Sequence, residues 1–284
     1  MLLLGGSVTG RFRADDINVL NELARRAALA VDNARLYEER TAIAQALQAL
    51  LLPSALPSAT GVDFGARYAA AGEGNEVGGD FYDVFGLPDG GWGLAIGDVC
   101  GKGAEAAAIT GMARNVLRLL IEDGAAPQGA LSRLNEVILG LGDRGRFCTT
   151  SLATVHRRGE ALAVRVSHAG HPLPVLVGLD GKARFVGRTG TVLGIVRGIE
   201  LADDELVLQP GEALVFYTDG VTERRDGLEL YGDERLLACL GRNRSRSADG
   251  VAGDLERDVV SFGGAATRDD LAVLVLRCPL PTGP

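Results

Sequence analysis

Histidine, cysteine and surplus positive charge are scarce in this sequence, and each shortage removes a class of chemistry. Its 284 residues include 3 histidines and 4 cysteines. Cys100, Cys148, Cys239 and Cys278 show no C-x-x-C spacing, which argues against a zinc site or a disulfide framework. A reduced, cytoplasmic setting is expected. Lys and Arg number 29 against 37 Asp and Glu, a formal net charge of −8. Nucleic acids and anionic membranes are bound through excess positive charge, so neither is expected as the main partner. The basic cluster Arg242-Asn243-Arg244-Ser245-Arg246 reads as a solvated loop. No apolar run approaches the ~20 residues of a membrane span, and Met1-Leu2-Leu3-Leu4 is too short for a signal core. A soluble protein is expected.

Glycine and proline are missing from Arg11 to Leu52, so a long helix can run without a break until Pro53 and Pro57 stop it. Ile17, Leu20, Ala24, Ala27, Val31 and Ala34 alternate by three and four, which is heptad spacing. Leu36, Ile43, Leu47 and Leu50 follow the same rule in an offset register. Two packing partners are the natural reading, the first segment on a domain and the second on a partner helix. A single amphipathic helix on the core is the alternative.

Beyond the helix, glycine is plentiful, at 40 residues, and apolar residues reach 46%, enough for a substantial core. The densest stretch is Glu76–Gly103. Its apolar runs Phe81–Leu87 and Trp92–Ile96 flank Pro88-Asp89-Gly90-Gly91, a turn that predicts a β-hairpin. The outer ends of such a hairpin lie side by side, which brings Asp80 beside Asp98. Two carboxylates this close repel unless a cation sits between them, and with no Cys or His nearby that cation is Mg²⁺ or Mn²⁺ before zinc. A pair of acidic turn residues at a glycine-rich sheet edge is the plainer alternative.

Period-two alternation predicts further strands at Val62–Ala70, Thr149–His156, Ala161–His168, Pro174–Val177, Arg184–Val186, Leu206–Leu208, Ala213–Thr218 and Leu271–Arg277. Helical patterns cover Ala104–Glu122, Leu131–Leu141, Glu234–Leu240 and Ala248–Val260. Tight turns between strands predict antiparallel sheets, and paired helices disfavour a doubly wound fold. The expected class is α+β, with helices outside two packed sheets. Asp219, in YTDGVTE, and Asp269 with Asp270, in TRDDLAVLVL, join Asp80 and Asp98 at strand ends. That grouping favours a two-metal site.

The ordered segments VGGDFYD, GDVCGKG, SHAGHPLP, YTDGVTE with LYGDERL, and DDLAVLVL resemble the PPM-type metal-dependent protein phosphatases. The bacterial stage II sporulation protein E subfamily is the nearest match, over Ala49–Arg277. FRADDINVLNELARRAALAVDNARLYEER resembles the end of a GAF sensor domain, its last helix with one strand at most. The implied domains are residues 1–40 as a GAF remnant, 41–60 as linker, and 61–278 as phosphatase. The resemblance implies a four-layer sandwich of two antiparallel sheets flanked by helices, with a long N-terminal linker helix. It implies two Mn²⁺ or Mg²⁺ ions, with Asp98 bridging and the Val99 carbonyl a further ligand. Asp219 and Asp269 would hold the other ion, Asp80 would act on the first, and Asp270 is an alternative to Asp269. Asp83 is expected to hydrogen-bond locally. A phosphorylated anti-anti-sigma (STAS-type) protein is the implied substrate, and the N-terminal helix suggests a homodimer.

The family also uses AGHxP as a turn, which gives His168 and His171 a structural role. The phosphate-gripping arginine of eukaryotic relatives has no obvious counterpart; Arg67 and Lys102 are candidates without assignment. Gly78-Gly79-Asp80-Phe81 also looks like part of a diguanylate cyclase signature, but that signature continues Glu-Phe and the later acidic motifs fit no cyclase. A catalytically silent binding module is the remaining alternative.

Overall fold

Strand alternation sorts apolar side chains into three layers, and those layers are the fold. The computed structural model describes residues 14–53, 55–70, 77–142, 146–243, 247–263 and 269–281. One five-stranded sheet is ordered β1 (Asp63–Ala69), β12 (Leu271–Arg277), β9 (Ala213–Tyr217), β6 (Val175–Val177), β7 (Ala183–Phe185). The other is ordered β2 (Asp80–Gly86), β3 (Trp92–Val99), β4 (Cys148–Arg158), β5 (Ala161–Ala169), β8 (Asp203–Leu208). Every pairing in both is antiparallel.

Even-numbered residues of β1, β2, β3, β9 and β12, among them Phe64, Val84, Ile96, Leu214 and Leu274, meet between the sheets. Odd-numbered Phe81, Phe85, Ala95 and Val99 face outward onto α2 (Ala104–Glu122) and α3 (Pro127–Gly140). Odd-numbered Val215, Tyr217, Val273 and Val275 face α5 (Gly232–Arg242) and α6 (Ala248–Gly263) on the opposite side. Helix, sheet, sheet, helix is the expected order of layers.

The N-terminal helix α1 (Ala14–Leu51) departs from the two-partner reading. Its C-terminal end docks on the domain: Ala44, Leu47 and Leu51 pack with Val77 and with Ala107 of α2. Ile17, Leu23, Val31, Leu36 and Ile43 are exposed. The heptad spacing describes an apolar stripe, and a stripe does not name its partner. Two elements went unforeseen because they are too short to show a period. They are the one-turn α4 (Asp219–Thr222) and the ribbon β10 (Arg225–Asp226) with β11 (Glu229–Leu230). Helix α3 starts at Pro127, earlier than its apolar pattern, because proline is well suited to a first helical turn. Met1–Leu4, any GAF strand, Glu76 and Arg244–Arg246 lie outside the described residues.

Candidate active site

The hairpin turn is closed by Leu87 N to Gly91 O at 2.8 Å, and Gly90 takes the positive φ of 85° that its place requires. Register then places Asp80 directly opposite Asp98. Strands β2 and β12 begin at the same end of the sandwich at which β1, β3 and β9 finish. There Asp80, Asp98, Thr218, Asp270 and Tyr68 continue the even-numbered parity of the faces between the sheets.

Asp80 is 3% exposed, and its Oδ2 accepts a 2.6 Å hydrogen bond from the Thr218 hydroxyl. Thr218 is itself fixed to β12: its Oγ1 accepts from Ala272 N and its N donates to Ala272 O, both at 3.0 Å. The two sheets are thereby joined at the acidic end. Glycine is required where the backbone closes in. A Cβ on Gly79 would lie 2.1 Å from the Val99 carbonyl oxygen and 2.5 Å from Asp98 Oδ1. On Gly78 it would lie 1.3 Å from Asp270 Oδ2.

The carboxylates perturb one another. Burial, then the Asp98 charge, holds Asp80 well above the usual carboxylate range, against the opposing pull of the Thr218 hydrogen bond. Asp98 is pushed up to about 7, first by burial and then by Asp219, Asp269 and Asp270. Asp219 is raised by burial and then by Asp269. Tyr68 is held upward by burial and then by Asp270. Asp269 is exposed at the rim, with Lys102 Nζ 3.7 Å from its Oδ1. Asp270, its neighbour, is buried. All five aspartates named from the sequence thus fall into one electrostatic cluster, with the Val99 carbonyl beside it.

Among the described residues, no three His, Cys, Asp or Glu side chains converge tightly enough to ligate one ion as they stand. The donor set is nevertheless specific: hard carboxylate and carbonyl oxygens, buried among like charges. Such a set fits a Mg²⁺- or Mn²⁺-class ion and not zinc.

Other residues named from the sequence serve the fold. Asp83 is not locally bonded. It is 1% exposed and clamps Arg118 of α2 through three contacts of 2.8, 2.9 and 3.1 Å. As an odd-numbered residue of β2 it faces the helices, where a buried carboxylate needs a cation from another element. Arg67 is committed to Asp249 of α6, with Nη2 2.9 Å from Oδ2, so it is not the phosphate-gripping arginine. His171 Nδ1 lies 3.0 Å from Thr149 Oγ1, and His168 Nδ1 lies 2.7 Å from Ser151 Oγ. Both rings are buried. Burial, the largest cause in each, pushes His168 down to about 4 and His171 down to about 3, so they serve the fold as neutral imidazoles. Thr218 and Tyr68 escaped the sequence reading. The signal that could have found them is parity, since both continue the inward-facing set of a strand that ends at the acids.

Two packed antiparallel sheets, helices on both outer faces and acids gathered at one sheet end define a PPM-type phosphatase fold. The chain belongs to the Stage II sporulation protein E (SpoIIE) family, whose model matches residues 88–279. The match begins after β2, so the assignment does not draw on Asp80 or Asp83. Protein IcfG of Synechocystis is 26% identical over 81% of this chain, and phosphoserine phosphatase RsbU of Bacillus subtilis is 27% identical over 83%. The chain spans 40% of the length of the first and 69% of the second. The solved RsbU and RsbW domains of Rv1364c from Mycobacterium tuberculosis are 29% identical, with a TM-score of 0.66. That match covers 80% of this chain and 63% of the mycobacterial one. No helix among the described residues is long and apolar enough to cross a membrane.

Proposed function

We propose that this chain is a metal-dependent serine/threonine protein phosphatase, hydrolysing phosphoserine or phosphothreonine on a regulatory protein of the anti-anti-sigma (STAS) type. One observation carries the reading: Asp80, Asp98, Asp219, Asp269 and Asp270 form one cluster at the end of a PPM-type sandwich. In this reading Asp98 would serve both of two Mn²⁺ or Mg²⁺ ions, with the Val99 carbonyl as a further ligand of one. Asp219 and Asp269 would hold one of them and Asp80 would serve the other, with Asp270 as the alternative to Asp269. The ions would supply an acidified water and neutralise charge on the entering and leaving oxygens of an in-line displacement.

The chain's own contribution is orientation. Thr218 keeps the Asp80 carboxyl facing Asp98, and the glycines let the Val99 carbonyl approach. Residues 61–278 form the phosphatase domain in this reading, 41–60 the connection to it, and 1–40 the remnant of a GAF-like sensor. The exposed apolar positions of α1 favour a homodimer through that helix in a cytoplasmic signalling protein.

The test is phosphate release from a phosphoserine peptide with Mn²⁺, with Mg²⁺ and with chelator, alongside Asp98→Asn and Asp219→Asn. Metal-dependent release abolished by both substitutions supports the reading. Silence in every metal, with two ions still bound by calorimetry, would favour a latent enzyme awaiting its activator. Silence without ion binding would favour a catalytically silent regulatory module.

A further inference from the structure

Away from the acidic end, a cavity of about 670 Å³ opens where the chain leaving α1 passes the edge of β2 and the middle of α2. That volume lies within the range of small-molecule sites. Leu52, Pro57 and Phe85 give it apolar walls, and Arg114 and Arg118 line it from α2.

Two guanidiniums there share one carboxylate. Asp83 gives both oxygens to Arg118, whose plane also stacks over the Phe85 ring at 4.8 Å. Arg114 Nε is left 3.9 Å from Asp83 Oδ2, beyond hydrogen-bond reach, on a side chain only 18% exposed. Among the described residues, its buried Nε and Nη1 find no acceptor. A guanidinium cannot shed its charge and has donors only, so this burial is costly unless an acceptor arrives. Glu122 also lines the cavity, two helical turns further along α2 and about 12 Å from Arg114 along the axis.

We propose that this cavity binds a small amphiphilic oxyanion, its carboxylate or phosphate-type head on Arg114 and its apolar body between Leu52, Pro57 and Phe85. The head adds a second negative charge beside two guanidiniums that share the one Asp83 carboxylate. Neither the site nor its ligand depends on the phosphatase reading.

The test titrates the full chain with hexanoate and with hexylphosphonate. Binding is followed by calorimetry and by the arginine Nε–Hε signals in ¹H–¹⁵N spectra. Saturable binding that shifts the Arg114 signal is expected. Arg114→Gln should weaken it at least tenfold, and Arg114→Lys, which keeps the charge but loses the fork, at least fivefold. Both variants should remain folded, by circular dichroism. Acetate and inorganic phosphate, lacking the apolar body, should bind at least tenfold more weakly. Asp98→Asn should bind hexanoate as the wild type does, which separates this cavity from the acidic end. No saturable binding of either probe, or undiminished binding by folded Arg114→Gln and Arg114→Lys, overturns the proposal.

Discussion

Asp80 and Asp83 are buried carboxylates three positions apart on one strand, and their surroundings carry opposite charge. Odd spacing sends them to opposite faces of the sheet. Asp83 faces α2, and Arg118 meets it with a bidentate ion pair. Asp80 faces the other sheet, where its neighbours are Asp98, Asp270 and Asp219 and a neutral hydroxyl, that of Thr218, donates to it. Both burials incur a desolvation cost. For Asp83 the counter-charge is part of the chain. For Asp80 the groups that act on it among the described residues are acids and a hydroxyl, and the cation Lys102 stands at the rim beside Asp269.

This contrast is broken most sharply by neutralising each side in turn. Asp98→Asn and Asp219→Asn should reduce metal-dependent phosphate release by more than about a hundredfold, since even outer-shell changes at metal sites cost on the order of 10–100-fold. In chelator, Asp98→Asn should melt at or above the wild-type temperature, because it removes like-charge repulsion. Asp83→Asn should do the reverse to stability. It leaves Arg118 without its partner, a loss of about 3 kcal/mol and roughly 6–12 °C in melting temperature. Calorimetric melts of the three variants in chelator decide it, and a fall for Asp98→Asn as large as that for Asp83→Asn would end the comparison.

Added metal sharpens it further. A divalent ion at a hundredfold excess over its Kd should stabilise the wild type by about 2.7 kcal/mol, and Asp98→Asn should lose most of that gain. Asp83→Asn should keep it, because its partner lies on the helix side of the sheet.

The difference between the two aspartates also marks how far the amino-acid pattern could be read. The hairpin was legible because Pro88-Asp89-Gly90-Gly91 dictates a turn, and the turn dictates that Asp80 meets Asp98. The strand-end acids were legible because each closes or opens an apolar run. The Asp83–Arg118 pair spans 35 positions and the Asp80–Thr218 pair 138, and no local rule links residues that far apart. Docking of α1 was illegible for a related reason, since Ala44, Leu47 and Leu51 bury themselves on α2 only once the domain exists to receive them.

A smaller effect separates the crowded glycines from the open one on the same hairpin. Gly78→Ala must displace Asp270, whose Oδ2 would lie 1.3 Å from the new Cβ, and should cost about 1–3 kcal/mol. Gly86→Ala meets nothing within 4 Å and should change stability by less than about 0.5 kcal/mol. Equal melting temperatures for the two would mean that Asp270 yields to the new methyl group at little cost.

The smallest expected effect concerns pH, where the buried acids and the buried histidines pull in opposite directions. Asp98, raised to about 7 when folded without metal, contributes stability that is complete below its ordinary pKa and fades as pH rises through about 7. His168 and His171, lowered to about 4 and about 3, contribute stability that is complete above about 6.5 and fades as pH falls through those values. Between pH 6.5 and 4 the raised acids, Asp80 and Asp219 with Asp98, oppose the two histidines in the metal-free wild type. Asp98→Asn removes one acid's share and should tilt the balance toward the histidines, whose own slope is a loss of about 1–2 kcal/mol per imidazole by pH 5. Adding His168→Gln to that background should flatten the slope by the share of one ring. Melting temperatures from pH 7.5 to 4.5 in chelator measure both, and a wild-type curve already as steep as that of Asp98→Asn would show that the carboxyl is not held protonated by burial and its acidic neighbours.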